Sequence, residues 1–155
     1  AKTGWTTDEL QVGIALAALD KKYDFVSLLI GVNNQYRGRD KAEYAQQFEK
    51  LLKQSIQFAG NIPEHVFVLS IPDWGVTPFA EGRDRKQIAD EIDAFNSINK
   101  DLASKYNVHY IDITPGTRQA NNDLSLLAED QLHPAGKAYS SWAQELARAI
   151  RKQVK

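Results

Sequence analysis

The chain has 155 residues, of which 43% are hydrophobic and 25% charged, a composition typical of a globular domain that can bury a core. Its net charge of −1 gives no basic surface for nucleic acid or for an anionic membrane. No apolar run is long enough to cross a bilayer, and the absence of cysteine excludes disulfides, a thiolate nucleophile and thiolate metal sites.

The first two predicted elements are a helix and a strand. Thr6 and Glu9 have the spacing of a capping box, which predicts a helix from there to about Lys21. Residues 25–30 are then almost continuously apolar, as in a parallel strand that is covered on both faces. This strand ends at Gly31.

Strands and helices alternate through the rest of the chain. In order, the sequence predicts a loop at 33–39, a helix from 40 to 60, a strand at 66–71, a loop at 72–78, a helix at 84–105, a strand at 108–113, a loop at 114–132 and a final helix that begins at Pro134. This alternation predicts one α/β domain over residues 1–155, with a parallel sheet between two helix layers. In such sheets the chemistry lies at the carboxyl ends of the strands, so the loops that follow the three strands should converge on one rim.

The strongest chemical signal is Asp130, three residues ahead of His133. With Pro134 as the first helical residue, both side chains are predicted in the entry loop of the last helix, where the carboxylate can orient the imidazole as a general base. The alternative is that Asp130 only caps the helix and His133 is merely exposed. His65 and His109, at the start of a strand and inside one, are predicted to be packed or surface residues.

Four other residues are candidates for the same rim, each with a structural alternative. Asn33 is either a turn residue or a side-chain donor to a developing oxyanion. Gly4 is either a flexible entry to the first helix or a backbone N–H donor. Trp74 is a lid on the core or a wall of a substrate pocket, and Tyr36, with the neighbouring Arg37, lines the same mouth or is simply solvated. No cluster with metal-ligand spacing and no glycine-rich phosphate loop is present, so neither a metal nor a cofactor is predicted.

Three segments, taken in order, resemble the conserved blocks of the SGNH (GDSL) esterase/lipase superfamily. The segment around Gly4 resembles the second block, Gly31-Val32-Asn33-Asn34 the third, and Asp130-Gln131-Leu132-His133 the fifth. The resemblance implies a flavodoxin-like α/β/α fold and hydrolysis of carboxylic esters by a serine esterase mechanism. In that mechanism His133 would be the general base, oriented by Asp130, and Asn33 and the Gly4 N–H would form part of the oxyanion hole. Expected substrates are small-molecule, carbohydrate or lipid esters, and the compartment stays open.

Two departures from the family pattern stand out. Asn34 replaces the family's Asp, which puts the local support of Asn33 in question, and no Gly-Asp-Ser block exists to supply the nucleophile. The family's sheet order is 2-1-3-4-5, and this chain supplies only strands 3, 4 and 5. We therefore expect a fragment that lacks an N-terminal βαβ segment, is nearly inert alone, and exposes an apolar edge at residues 25–30, which leaves homo-oligomers open.

Two other functions remain open at this stage. Without a nucleophile, the same scaffold could be a binding module for acylated or glycan ligands. A flavodoxin-like or response-regulator-like domain is the weaker alternative, because the sequence offers neither an acidic cluster nor a phosphate loop.

Overall fold

A three-stranded parallel sheet forms the centre of the computed structural model, which describes residues 2–154. The strands are β1 (Val26–Leu28), β2 (Val66–Leu69) and β3 (His109–Ile111), and the helices are α1 (Thr7–Ala17), α2 (Val32–Tyr36), α3 (Lys41–Phe58), α4 (Arg85–Lys105), α5 (Thr114–Arg118) and α6 (Gly136–Arg151). The strands pair in the order β1-β2-β3, with Val26 opposite Val66 and Phe67 opposite His109.

The central strand β2 explains the layering, because successive side chains point to opposite faces of a sheet. Val66 and Val68 belong to the larger core, which α3 and α4 cover and against which α1 packs. Leu69, on the other face, packs against Trp142 of α6. The predicted α/β/α architecture is therefore confirmed. Among residues 2–154, no helix combines the length and the hydropathy needed to cross a bilayer.

Strand β1 lies at the edge of this sheet. All four residues of β2 are buried, whereas Ser27 of β1 is exposed and Leu29 just beyond it is 38% exposed. The predicted strand at 25–30 thus forms, but it presents an open backbone edge and an apolar side chain to solvent.

Capping chemistry sets the helix starts. The Glu9 carboxylate accepts the Thr6 N–H at 2.8 Å, as the capping box predicts, and Asp40 accepts two backbone N–H groups at the start of α3. The predicted end of α1 near Lys21 is wrong. The helix ends at Ala17 because Ala18 turns into the left-handed region (φ 46°), and the following residues through 24 are exposed and gain nothing from helical packing.

Other local predictions are also wrong. The segment 33–39 is not all loop, since α2 occupies its first half, and the loop at 114–132 begins with α5. Pro134 does not start the last helix. It forms an antiparallel bridge with Leu127, and α6 begins two residues later at Gly136. This bridge, with the Ala128 N–H bonded to the His133 carbonyl at 2.8 Å, fixes the loop that carries His133.

Candidate active site

A cavity of about 570 Å³ opens at the carboxyl ends of the strands, a size that suits a small ligand. Five of the residues that the sequence singles out line it: Gly4, Asn33, Tyr36, Trp74 and His133. Asp130 is not in the wall but is bonded to the His133 ring behind it. The loops after the three strands therefore converge on one rim, as expected for an open parallel sheet.

Asp130 binds His133 through both of its oxygens. Oδ2 lies 2.5 Å from His133 Nδ1, and Oδ1 accepts the backbone N–H groups of Leu132 and His133 at 3.0 and 2.9 Å. The bond to the imidazole, followed by these two backbone bonds, lowers the pKa of the Asp130 carboxyl to about 2. The carboxylate is ionised at neutral pH and fixes both the position and the ring orientation of His133.

The alternative role for Asp130, as a cap on the last helix, is wrong. The two N–H groups that it accepts belong to the loop, and the N-cap of α6 is Ala135, whose side chain makes no capping bond. A carboxylate held on Nδ1 favours the tautomer with its proton there, which leaves Nε2 as an acceptor. Among residues 2–154, no hydrogen bond engages Nε2 of His133.

Asn33 lies in α2, immediately beyond the turn at Gly31. Gly31 has φ 128°, a conformation that side chains rarely adopt, and it redirects the chain from the sheet into α2. The Asn33 amide donates one bond, from Nδ2 to the Trp5 carbonyl at 3.1 Å. An amide nitrogen carries two hydrogens, so a second donor of Asn33 stays available at the cavity wall.

Gly4 is tied to the same short helix by a residue that sequence reasoning left as solvated. Arg37 donates to the Gly4 carbonyl at 2.7 Å and to Glu9 at 3.2 Å. Gly4 itself has φ 85°. Arg37 and Asn33 therefore connect the α2 segment to residues 4 and 5 by two hydrogen bonds. These bonds hold Gly4 and Asn33, the two predicted oxyanion donors, next to each other.

Asn34, the departure from the family pattern, has a defined structural role. Its side chain is only 1% exposed, accepts the Thr7 N–H at 3.1 Å and donates to Thr7 Oγ1 at 2.7 Å. These bonds attach α2 to the start of α1. The side chain after Asn33 thus retains hydrogen-bonded support despite the change from Asp.

Trp74 is both core and cavity wall, so the two alternatives for it are not exclusive. Its side chain is 7% exposed, and its indole N–H donates to Gln35 Oε1 at 2.7 Å, while the Gln35 amide donates to Glu91 at 2.7 Å. Tyr36 packs edge-on against it, with the ring centroids 5.2 Å apart. Gln35 was missed by sequence reasoning, because only the folded chain brings it to an indole 39 positions away.

None of the eight serines lines the cavity. Ser70, at the end of β2, is buried and bonded to Asp112 and to the backbone N–H groups of Ile113 and Thr114. His65 and His109 are packed against aromatic rings, with His109 stacked on Phe67 at 4.8 Å. The described site therefore contains an imidazole bonded to a carboxylate and the side-chain amide of Asn33, and no serine hydroxyl lies in its wall.

The fold and this arrangement define a three-layer α/β/α protein of the hydrolase type. The chain belongs to the GDSL-like lipase/acylhydrolase family, whose model matches residues 1–141, a range that includes all six site residues predicted from the sequence. This membership assigns the chain to a family of ester hydrolases. No match was found among curated proteins.

Solved structures with a similar fold are esterases and acylhydrolases of low sequence identity. An acetylxylan esterase of Geobacillus stearothermophilus has a TM-score of 0.71 at 20% identity, with 95% of this chain and 68% of that chain covered. The lipase/acylhydrolase of Enterococcus faecalis has a TM-score of 0.71 at 20% identity, covering 97% and 72%. The esterase EstA of a Pseudoalteromonas species has 0.68 at 18% identity, covering 97% and 74%. At these identities the likeness establishes the fold.

Proposed function

We propose that this chain carries the acid–base and oxyanion-binding part of a serine esterase that hydrolyses carboxylic esters of acyl or acetyl groups. The observation that carries the proposal is that His133, whose ring is bonded to Asp130, and Asn33 line one cavity. A positioned base and a preorganised amide donor facing one space are the two devices that acyl transfer requires.

In this proposal His133 Nε2 takes the proton of a serine hydroxyl as the oxygen attacks the ester carbonyl. The oxyanion of the tetrahedral intermediate accepts hydrogen bonds from the free N–H of Asn33 and from the Gly4 N–H. His133 then passes its proton to the departing alcohol, and water repeats the sequence to release the acid. Asp130 stabilises the imidazolium at each step.

The serine itself is proposed to come from polypeptide outside these 155 residues. Two observations support this: no serine lines the cavity, and β1 presents an open edge on which a further parallel strand could pair. The 155 residues alone should then be nearly inert. The likeness to an acetylxylan esterase makes an acetylated sugar the first ester to test, with Trp74 and Tyr36 as the wall against which it would lie.

The test compares the chain alone with a version extended through its upstream coding sequence, using a chromogenic acetyl ester. We expect activity only in the extended protein, and we expect His133→Ala to reduce kcat by about 10²–10⁴-fold. Lys137→Gln is the control, since Lys137 lies four residues from His133 in the first turn of α6 but binds Asp123 and Ser125 and does not line the cavity. Hydrolysis by the 155 residues that survives His133→Ala would refute the mechanism.

A ligand-binding module is the second candidate, favoured by the same absence of a serine from the cavity wall. It predicts that the extended protein binds acetylated sugars without hydrolysing them. Measuring both the binding of an acetylated sugar and the release of acetate separates the two functions, because only the esterase releases acetate.

A further inference from the structure

An aromatic cluster at the mouth of the cavity surrounds a guanidinium group. The Arg83 Cζ atom lies 5.5 Å from the ring centroid of Tyr36, 5.3 Å from that of Trp74 and 5.6 Å from that of Phe79. We call these four residues the Arg83 cluster. Tyr36 and Phe79 are 44% and 41% exposed although both line the cavity, so two large rings face solvent beside the site.

Arg83 is held over these rings by its turn and not by a carboxylate. Its backbone N–H donates to the Ala80 carbonyl, and no ion pair within residues 2–154 involves its side chain. Of the neighbouring acids, Asp84 accepts the Gln87 N–H at the start of α4, and Glu81 is exposed. The guanidinium therefore retains its full set of donors for a ligand.

Arg83 lies over three rings of the cavity wall, and the charged side chains Lys2 and Asp73 of that wall do not neutralise it. Lys2 lines the cavity and is exposed. Asp73, the one carboxylate in the described wall, is 2% exposed and is bonded to Arg118 at 2.9 Å. The mouth consequently carries uncompensated positive charge, which attracts an anion and disfavours a cationic ligand.

We propose that the Arg83 cluster is a subsite for a six-membered ring that carries a carboxylate. The exposed rings of Tyr36 and Phe79 provide faces for stacking, and the guanidinium provides the paired donors that match a carboxylate. Under the proposed function, this ring would be the alcohol part of the ester, so the preferred substrate is an acylated acid and not a neutral acyl compound. The binding itself does not depend on catalysis.

Three tryptophans allow the subsite to be observed directly in the 155-residue chain. Trp5, Trp74 and Trp142 all line the cavity, on different elements, and each gives one indole N–H signal in a ¹H–¹⁵N spectrum. We expect methyl glucuronide to shift the Trp74 signal more than those of Trp5 and Trp142. Methyl glucoside, which has the same ring without the carboxylate, should bind about fivefold more weakly, the effect of one ion pair at an exposed site. A third titration, with 4-hydroxybenzoate, tests whether the subsite prefers a carboxylate on an aromatic ring to one on a sugar ring.

Arg83→Gln should remove the difference between glucuronide and glucoside, whereas Arg83→Lys should retain part of it, since the charge remains and the paired donors do not. Lys100→Gln, which removes an exposed charge of α4 outside the cavity wall, is the control for the net charge of the protein and should change the affinity for both ligands by less than about twofold. A shift by 4-hydroxybenzoate without one by glucuronide would support the carboxylate subsite and assign it to aromatic acids.

Equal affinity for the charged and neutral sugars, or an unchanged difference in Arg83→Gln, would overturn the subsite. Arg83 is exposed, so we expect its variants to fold. The dispersion of the ¹H–¹⁵N spectrum checks this independently of ligand binding. The proposed function can fail separately: loss of the ester mechanism in the His133→Ala assay leaves these binding results untouched.

Discussion

The turn at Gly31 leads the chain into α2, which carries Asn33, and replacing Gly31 with alanine should destabilise the protein. A Cβ at this position would lie 2.4 Å from Tyr44 Oη, 2.9 Å from Cζ and 3.0 Å from Cε2. Tyr44 cannot move aside, because it is fully buried, and its hydroxyl donates to Asn99 at 2.7 Å and lies 3.2 Å from the Ile30 carbonyl.

Two costs add in Gly31→Ala. Holding an alanine at φ 128° costs about 1–3 kcal/mol, and the clash with a closely packed ring costs about 1–3 kcal/mol more. Alanine also reduces the conformational entropy of the unfolded chain, which stabilises the folded state by about 0.4–1 kcal/mol. The expected net loss in the free energy of unfolding is about 1–6 kcal/mol, and its midpoint near 3 kcal/mol corresponds to roughly 6–12 °C in Tm for a domain of this size.

Gly38→Ala is the matched control. Gly38 also has a positive φ, of 62°, but a Cβ there would meet nothing within 4 Å. Its strain of about 1–2 kcal/mol is partly offset by the same unfolded-state gain, so the loss should be about 0–1.5 kcal/mol, well below the midpoint expected for Gly31→Ala. Urea denaturation followed by circular dichroism measures both variants. Equal losses in the two would show that the Tyr44 contact does not constrain the turn.

Three further predictions concern the residues around the site. Asn34→Leu should lower the free energy of unfolding by about 2–4 kcal/mol in urea titrations, because it leaves a buried backbone N–H of α1 unbonded; an unchanged midpoint would contradict this. Asp130→Asn keeps an acceptor for the loop N–H groups but removes the charge beside His133. Since the folded pKa of Asp130 is lowered from 3.8 to about 2, its stabilisation is present above about pH 4 and is lost as the pH falls toward 2, so the stability difference between wild type and variant should shrink over that range. Arg37→Ala should lower the NMR order parameter of the Gly4 amide from about 0.85 toward 0.6, and an unchanged value would remove Arg37 as its support.

The fold was predictable because its main signals are local. The apolar run at 66–71 is buried on both faces, as a central parallel strand must be, and the capping residues Asp40 and Asp84 each start the helix that they were expected to start. The spacing of Asp130 and His133 likewise predicts a contact within one loop, and the 2.5 Å approach of carboxylate to imidazole follows from that loop alone.

The errors lie where distant contacts decide the local structure. The polar stretch after Gly31 predicts a loop, yet residues 33–36 form most of α2 and make bonds to Trp5, Thr7 and Trp74. Pro134 is a favoured first helical residue, but its bridge to Leu127 places it outside α6. The sequence predicts Arg37 as a residue of the mouth or a solvated loop residue, and its bond to Gly4 could not be predicted, because the two residues meet only once α2 lies beside the start of the chain.

The central claim is that the imidazole of His133 and the amide of Asn33 face one point. Titration of the 155-residue chain with methylphosphonate, a tetrahedral anion shaped like the intermediate of ester hydrolysis, tests it directly by NMR. We predict that the signals of the Asn33 side-chain amide and of the His133 ring shift with the same dissociation constant. We also predict that Asn33→Ala raises the dissociation constant measured at His133. Signals that follow two different dissociation constants, or a response at only one of the two residues, would contradict the account.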